Sequence, residues 1–205
     1  MTTVKGYQTR TRSWHVLAWW ILANLVGWVS GFALGALLTE IGSSLFGLNE
    51  DRALVYALLL ALGLACGSAQ SAVLGRYLPR AWRWIPVTLA GYLLAMGITA
   101  AASGARLATG LWANAVLLAL IGAAVGVPQA LLLRRHFCGA GLWVLASAAG
   151  FLSFLWLVAN PASSLGEFIV FGAILGALAA VPPGVVLARV VREPRDAVDG
   201  KESLT

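Results

Sequence analysis

Residues 63–92 read GLACGSAQSAVLGRYLPRAWRWIPVTLAGY. An apolar run rich in small residues carries one glutamine, Gln70, and ends at Arg76; after Arg80 and Arg83, a second apolar run opens on Trp84. Both runs belong to apolar segments too long for strands. Leu and Ala dominate them, which favours helix. A backbone surrounded by lipid must also satisfy its hydrogen bonds within its own segment. The stretch therefore reads as two membrane-spanning helices joined by a short basic turn.

Outward from this stretch, the chain repeats it. Shifted by 59 residues, Gly63, Gly67, Gln70, Leu74, Arg76, Trp84 and Gly91 fall on Gly122, Gly126, Gln129, Leu133, Arg135, Trp143 and Gly150. A further shift of 54 carries Gly122, Val127, Pro128, Leu133 and Arg135 onto Gly176, Val181, Pro182, Leu187 and Arg189. The first, third and fifth segments share their own pattern of Arg, Trp, Gly and an aromatic. Its instances are Arg12, Trp20, Gly27, Trp28; Arg76, Trp84, Gly91, Tyr92; and Arg135, Trp143, Gly150, Phe151. The expected unit is a helical hairpin used three times in one orientation, a parallel repeat about the membrane normal. Its copies span 14–76, 84–135 and 142–189, and residues 190–205 form a polar tail. A closed pseudo-threefold bundle is the simplest arrangement, and a flat row of hairpins is the other.

The whole chain fits this reading. It has 205 residues, 60% hydrophobic and 11% charged, with mean hydropathy +0.85. Soluble domains carry about 25% charged residues, and a small soluble fold lacks the interior to hide so much apolar surface. Six apolar segments are expected, at Trp14–Leu38, Ala53–Gly75, Trp84–Ser103, Leu111–Leu133, Leu142–Leu157 and Phe168–Ala188. The fold class is all-α and polytopic, a single membrane domain. The first segment is too long for the apolar region of a signal peptide and belongs to the repeat.

The joints sort by charge. Twelve of the fourteen basic residues fall on one side of the six segments, leaving only Arg52 and Arg106 on the other with Glu40, Glu50, Asp51 and Glu167. The positive-inside rule then places both termini in the cytoplasm. The net charge of +6 is a topology signal rather than a nucleic-acid footprint, because no basic groove with interleaved aromatic residues accompanies it. The expected surroundings are the lipid bilayer and other membrane proteins, with no nucleic acid.

Individual residues carry packing more than chemistry. Gly27, Gly31 and Gly35 line one ridge; Gly63 with Gly67, Gly122 with Gly126, and Gly176 with Ala180 line others. Such faces let backbones approach where lipid supplies no hydrophobic push. Gln70 and Gln129 lie three residues beyond Gly67 and Gly126 and share their faces. They point into the bundle and are expected to clamp neighbouring helices; the alternative is a polar group that lines a solute path or holds a pigment or lipid headgroup. In the third unit Pro183 takes their place. Trp20, Trp84 and Trp143 are expected as interface anchors, and Arg76, Arg135 and Arg189 as snorkelling anchors. The Pro182-Pro183 pair is expected to kink the sixth segment.

No Asp, Glu, Lys or Arg falls mid-segment, where proton relays and ion-coupling sites place them. Ser68 and Ser71 have no histidine in their helices to act as base. His15 and His136 stand near segment ends, and no zinc-protease, phosphate-loop or dinucleotide pattern occurs. Cys66 and Cys138 lie at depths too different for a disulfide. No catalytic, metal or cofactor-binding residue is therefore expected.

The Gly-x-x-Gln, Leu, Arg and Trp-x6-Gly-aromatic pattern, carried by Gly67, Gln70, Leu74, Arg76, Trp84, Gly91 and Tyr92 and again from Gly126 to Phe151, resembles that of small multi-pass bacterial membrane proteins with no assigned activity. That resemblance implies a bacterial inner-membrane location and no particular reaction. Two functions remain open: a non-enzymatic scaffold or assembly subunit of a larger membrane complex, and a small-solute carrier or pore. A scaffold leaves no water-sized path through the helices. A hydrated cavity that reaches the membrane midplane and is lined by Asn24, Gln70 and Gln129 would sink the scaffold reading and promote the carrier.

Overall fold

The computed structural model describes residues 4–46, 50–104, 110–135, 140–160 and 164–190. Cys138, His136 and the tail beyond Val190 lie outside the described residues, as do Arg106 and its neighbours at 105–109. Among the described residues every regular element is helical. In chain order they are α1 (Val4–Phe46), α2 (Glu50–Leu74), α3 (Trp84–Gly104), α4 (Leu111–Leu133), α5 (Gly141–Phe151), α6 (Leu155–Ala159), α7 (Leu165–Ala179) and α8 (Val181–Val190). Short 3-10 turns at Ala81–Arg83 and Leu152–Phe154 precede α3 and join α5 to α6. Six stretches are long and apolar enough to cross a membrane: Trp14–Leu45, Leu54–Leu74, Ala81–Gly104, Leu111–Leu133, Gly141–Ala159 and Ile169–Arg189.

The differences from the sequence reading have identifiable physical causes. The first span continues to Leu45 because the polar residues after Leu38 bond to the helix's own carbonyls rather than breaking it. Thr39 Oγ1 donates to Gly35 O at 2.8 Å and Ser44 Oγ to Glu40 O at 2.7 Å. The fifth span is interrupted by the 3-10 turn, where Ser153 Oγ donates to Gly150 O at 2.8 Å and to Leu175 O of α7 at 3.2 Å. The sixth is divided at Ala180 into α7 and α8, since Pro182 and Pro183 supply no N–H to the carbonyls one turn back. The start of α7 is capped: Ser164 Oγ accepts from the Glu167 N–H at 3.2 Å, and the acidic residue suits the positive end of the helix dipole.

The spans form a closed ring. Each of α1 to α4 packs on the next, up to α5; α7 and α8 pack on both α5 and α1. Small residues set the seams. A Cβ on Gly27 would sit 2.8 Å from Cys66 Cα of α2; at Gly31 and Gly35 it would sit 3.1 Å from Leu62 Cα and Leu58 Cα. Gly63 and Gly67 meet α3 in the same way, each 3.2 Å from a backbone Cα, of Leu89 and Ile85 respectively. Gly122 and Gly126 meet α5 at Ala148 Cα (2.8 Å) and Val144 Cα (3.1 Å), and Gly176 faces the Trp28 ring of α1. Gly91 packs as closely, 2.7 Å from Val125 Cα of α4.

The ring's interior is layered. One apolar cluster gathers Val16, Trp20, Leu74, Trp84, Leu133, Trp143 and Leu187. A second gathers Trp28, Phe32, Leu62, Cys66, Tyr92, Val125 and Phe154. Between them lie five buried polar side chains: Asn24, Gln70, Thr88, Gln129 and Ser147.

Candidate functional site: a polar layer closed by three tryptophans

Trp20, Trp84 and Trp143 occupy equivalent places near the starts of the membrane parts of α1, α3 and α5. Their rings meet edge to face, with centroids 6.2 Å apart for Trp20–Trp84, 5.4 Å for Trp20–Trp143 and 5.7 Å for Trp84–Trp143. Each such pair contributes roughly 0.5–1.5 kcal/mol beyond the area it buries. The sequence expectation that they anchor the protein at the membrane interface is corrected. They are 1%, 0% and 1% exposed. A tryptophan goes to the interface when its N–H needs a wet partner; here two of the three N–H groups find acceptors inside the ring.

Those acceptors are the glutamines. Trp84 Nε1 donates to Gln70 Oε1 at 2.7 Å, and Gln70 Nε2 donates to Asn24 Oδ1 at 2.8 Å. Asn24 Nδ2 in turn donates to Trp20 O at 2.8 Å. One turn of the ring onward, Trp143 Nε1 donates to Gln129 Oε1 at 2.9 Å and Gln129 Nε2 to Thr88 Oγ1 at 2.9 Å. Each glutamine thus joins three helices: its own, the helix before it and the helix after it. Both amide ends are used, as burial requires.

The third step is missing. Pro183, buried at the start of α8, stands where the sequence shift would place a third glutamine. Gly184 beside it faces the Trp20 ring, with a hypothetical Cβ 2.8 Å from Trp20 Cδ1. Trp20 Nε1 is accordingly the one buried side-chain nitrogen or oxygen among the described residues that lacks a hydrogen-bond partner. An unpartnered buried donor costs about 1–3 kcal/mol.

A cavity of about 40 Å³ lies in this layer, lined by Trp20, Asn24, Gln70, Thr88, Gln129 and Ser147 among others. It has room for about one to three water molecules. Its lining runs on to Trp28, Tyr92 and Phe151, and Tyr92 is near the middle of the third span. The apolar clusters flank it along the bundle, the tryptophan triad on one side and Phe32 and Phe154 on the other.

The arginines lie elsewhere. Arg76, Arg135 and Arg189 are exposed at the ends of α2, α4 and α8, and the Arg76 guanidinium sits 5.1 Å from the Trp19 ring centroid. Asn24, Thr88 and Ser147 are polar residues that the sequence offers for a cavity, but their pairing with the triad is not legible there, although a signal exists: each stands four residues after one of the three tryptophans. Among the described residues no cluster of His, Cys, Asp and Glu has the makings of a metal site.

No family model, no curated protein and no solved structure matches the chain.

Proposed function

We propose that this protein is a non-enzymatic accessory, scaffold or assembly subunit of a larger membrane complex, built from three parallel helical hairpins. In this reading both termini face the cytoplasm of a bacterial cell and the six spans cross its inner membrane. The basic joints and the resemblance to small multi-pass bacterial proteins support that placement. The observation that carries the functional reading is the use made of the interior polar groups. Gln70 hydrogen-bonds Asn24 and Trp84, and Gln129 hydrogen-bonds Thr88 and Trp143. A carrier would instead hold such groups open toward a path between the two sides.

The cavity favours the alternative, a small-solute carrier or pore, because Asn24, Gln70 and Gln129 all line it. Its size argues the other way, since about 40 Å³ admits water and little more. Purification in mild detergent with crosslinking before lysis separates the two. A defined membrane partner present in constant ratio is expected. Solute flux through proteoliposomes holding this chain alone, abolished by Gln70→Leu, would overturn the scaffold reading.

A further inference from the structure

The turn between α2 and α3 builds a pocket that the polar layer does not use. Tyr77 N and Leu78 N both donate to Leu74 O at 2.8 Å, continuing α2 into the turn. Leu78 is buried, 7% exposed, in the tryptophan cluster. Ser71 Oγ donates to Ala81 O at 3.0 Å, which ties the far side of the turn back to α2, and Arg83 N donates to Arg80 O at 3.0 Å within the turn. The segment is therefore held at several points. It places Arg80 at φ 59°, ψ 39°, the only left-handed non-glycine backbone among the described residues. Glycine adopts that conformation freely and a side chain resists it. The chain nevertheless sets an arginine there, directly after Pro79.

Beside this turn is a cavity of about 400 Å³. Arg80 and Arg83 of the turn and Arg135 from the end of α4 line it, with Pro79, Ala81 and Leu132 as accessible apolar walls over the buried Leu78 and Trp84. No carboxylate is among its lining residues. Three arginines from two separate chain segments thus line one concavity at the end of the bundle, and the Arg83 guanidinium lies 5.9 Å from the Trp82 ring centroid. Guanidinium is the side chain suited to two-pronged contact with phosphate oxygens. The apolar walls face the same space, so the site presents charge and a greasy surface together. A free inorganic anion uses only the first. A phospholipid uses both, and helix ends are where its headgroup lies.

We propose that this pocket binds the phosphate headgroup of an anionic phospholipid, with Arg80, Arg83 and Arg135 on the phosphate and Pro79, Ala81 and Leu132 against the glycerol and upper acyl chain.

The test uses the full chain in nanodiscs of phosphatidylcholine alone or with phosphatidylglycerol, reading bound lipid by native mass spectrometry and stability by thermal unfolding. The native chain should retain phosphatidylglycerol selectively and melt higher in its presence. Each basic side chain near an anionic headgroup contributes about fivefold in affinity, so Arg80→Gln, Arg83→Gln and Arg135→Gln combined should lose about a hundredfold. The single variant Arg83→Gln, which leaves the turn backbone untouched, should lose about fivefold. Arg76→Gln with Arg189→Gln, two charges removed from the same end of the bundle but outside the pocket, should keep the selective adduct. Loss of the adduct in this control to the same degree would reduce the effect to general surface attraction and overturn the site. So would equal retention of the two lipids by the native chain. If inorganic phosphate alone stabilises the native chain as well as phosphatidylglycerol does, the ligand is a soluble phosphate and the lipid assignment falls.

Discussion

Trp84 and Gln70 are fourteen residues apart in sequence and 2.7 Å apart in space, indole N–H to amide oxygen, across the basic turn that separates their helices. The pair closes the end of α2 onto α3. Trp143 and Gln129 stand fourteen residues apart as well, in the same contact at 2.9 Å. The same glutamines reach back to Asn24 and Thr88, so each is a three-helix junction rather than a two-helix clamp.

Replacing Gln70 by Leu removes the acceptor of Trp84 and the donor to Asn24 together. The expected loss is about 1–3 kcal/mol, the cost of leaving buried polar groups unpaired, measured by reversible unfolding in mixed micelles. Gln129→Leu should cost a similar amount through Trp143 and Thr88. Ser30→Ala is the comparison, because the exposed Ser30 hydroxyl bonds only Val26 O of its own helix. A Gln70→Leu protein as stable as Ser30→Ala would show that the layer does not hold the ring together.

Pro183→Gln should act in the opposite direction. The new amide oxygen comes within reach of the orphaned Trp20 N–H, and the side chain fills part of the cavity. Measured against Pro183→Ala, which removes the ring without supplying an amide, the glutamine should add roughly 0.5–1.5 kcal/mol, the worth of one buried hydrogen bond. A glutamine variant less stable than the alanine one would mean that Trp20 is already satisfied by a bound molecule that the new side chain displaces.

Two glycines of α3 offer a paired test of the seams. A methyl on Gly91 would press against Val125 Cα at 2.7 Å, whereas a methyl on Gly97 would meet nothing within 4 Å. Gly91→Ala should therefore destabilise by about 1–3 kcal/mol through overpacking. Gly97→Ala should be neutral or gain up to about 1 kcal/mol from helix propensity. Equal effects at the two sites would remove close backbone approach as the reason for glycine at 91.

Sidedness can be read directly. Reporters fused at either terminus should both signal the cytoplasmic compartment, because basic residues crowd the joints on that side. Converting Arg76, Arg80 and Arg83 to Glu together should weaken that bias and yield a mixed population. A C-terminal reporter that reads as exported in the native chain would reverse the assignment.

Much of this was legible in the chain because it is local. Apolar length marks the six spans, and residues three or four apart share a helix face whatever surrounds them. That arithmetic sets Gln70 on the face of Gly67, and Gln129 on that of Gly126, before any neighbour is known. The breaks at Ala180 and Leu152 were only half legible. The proline pair announces the first, but nothing local distinguishes the turn after Phe151, which depends on Ser153 reaching Leu175 of another helix.

The tryptophans show the limit most clearly. A tryptophan at the end of an apolar run reads the same whether its N–H meets a headgroup or a buried amide. Only the tertiary structure decides, by bringing Gln70 to Trp84 and Gln129 to Trp143. Ring closure is likewise a long-range property, since it rests on α1 meeting α7 and α8 from the other end of the chain. The unpaired Trp20 N–H follows from that closure: Pro183 is visible in the sequence, but it has a consequence only once the last span is packed against the first. Periodicity along a single helix is set by covalent geometry and can be read from residue order. Which side chain satisfies which is set by contacts between helices, and those exist only in the assembled ring.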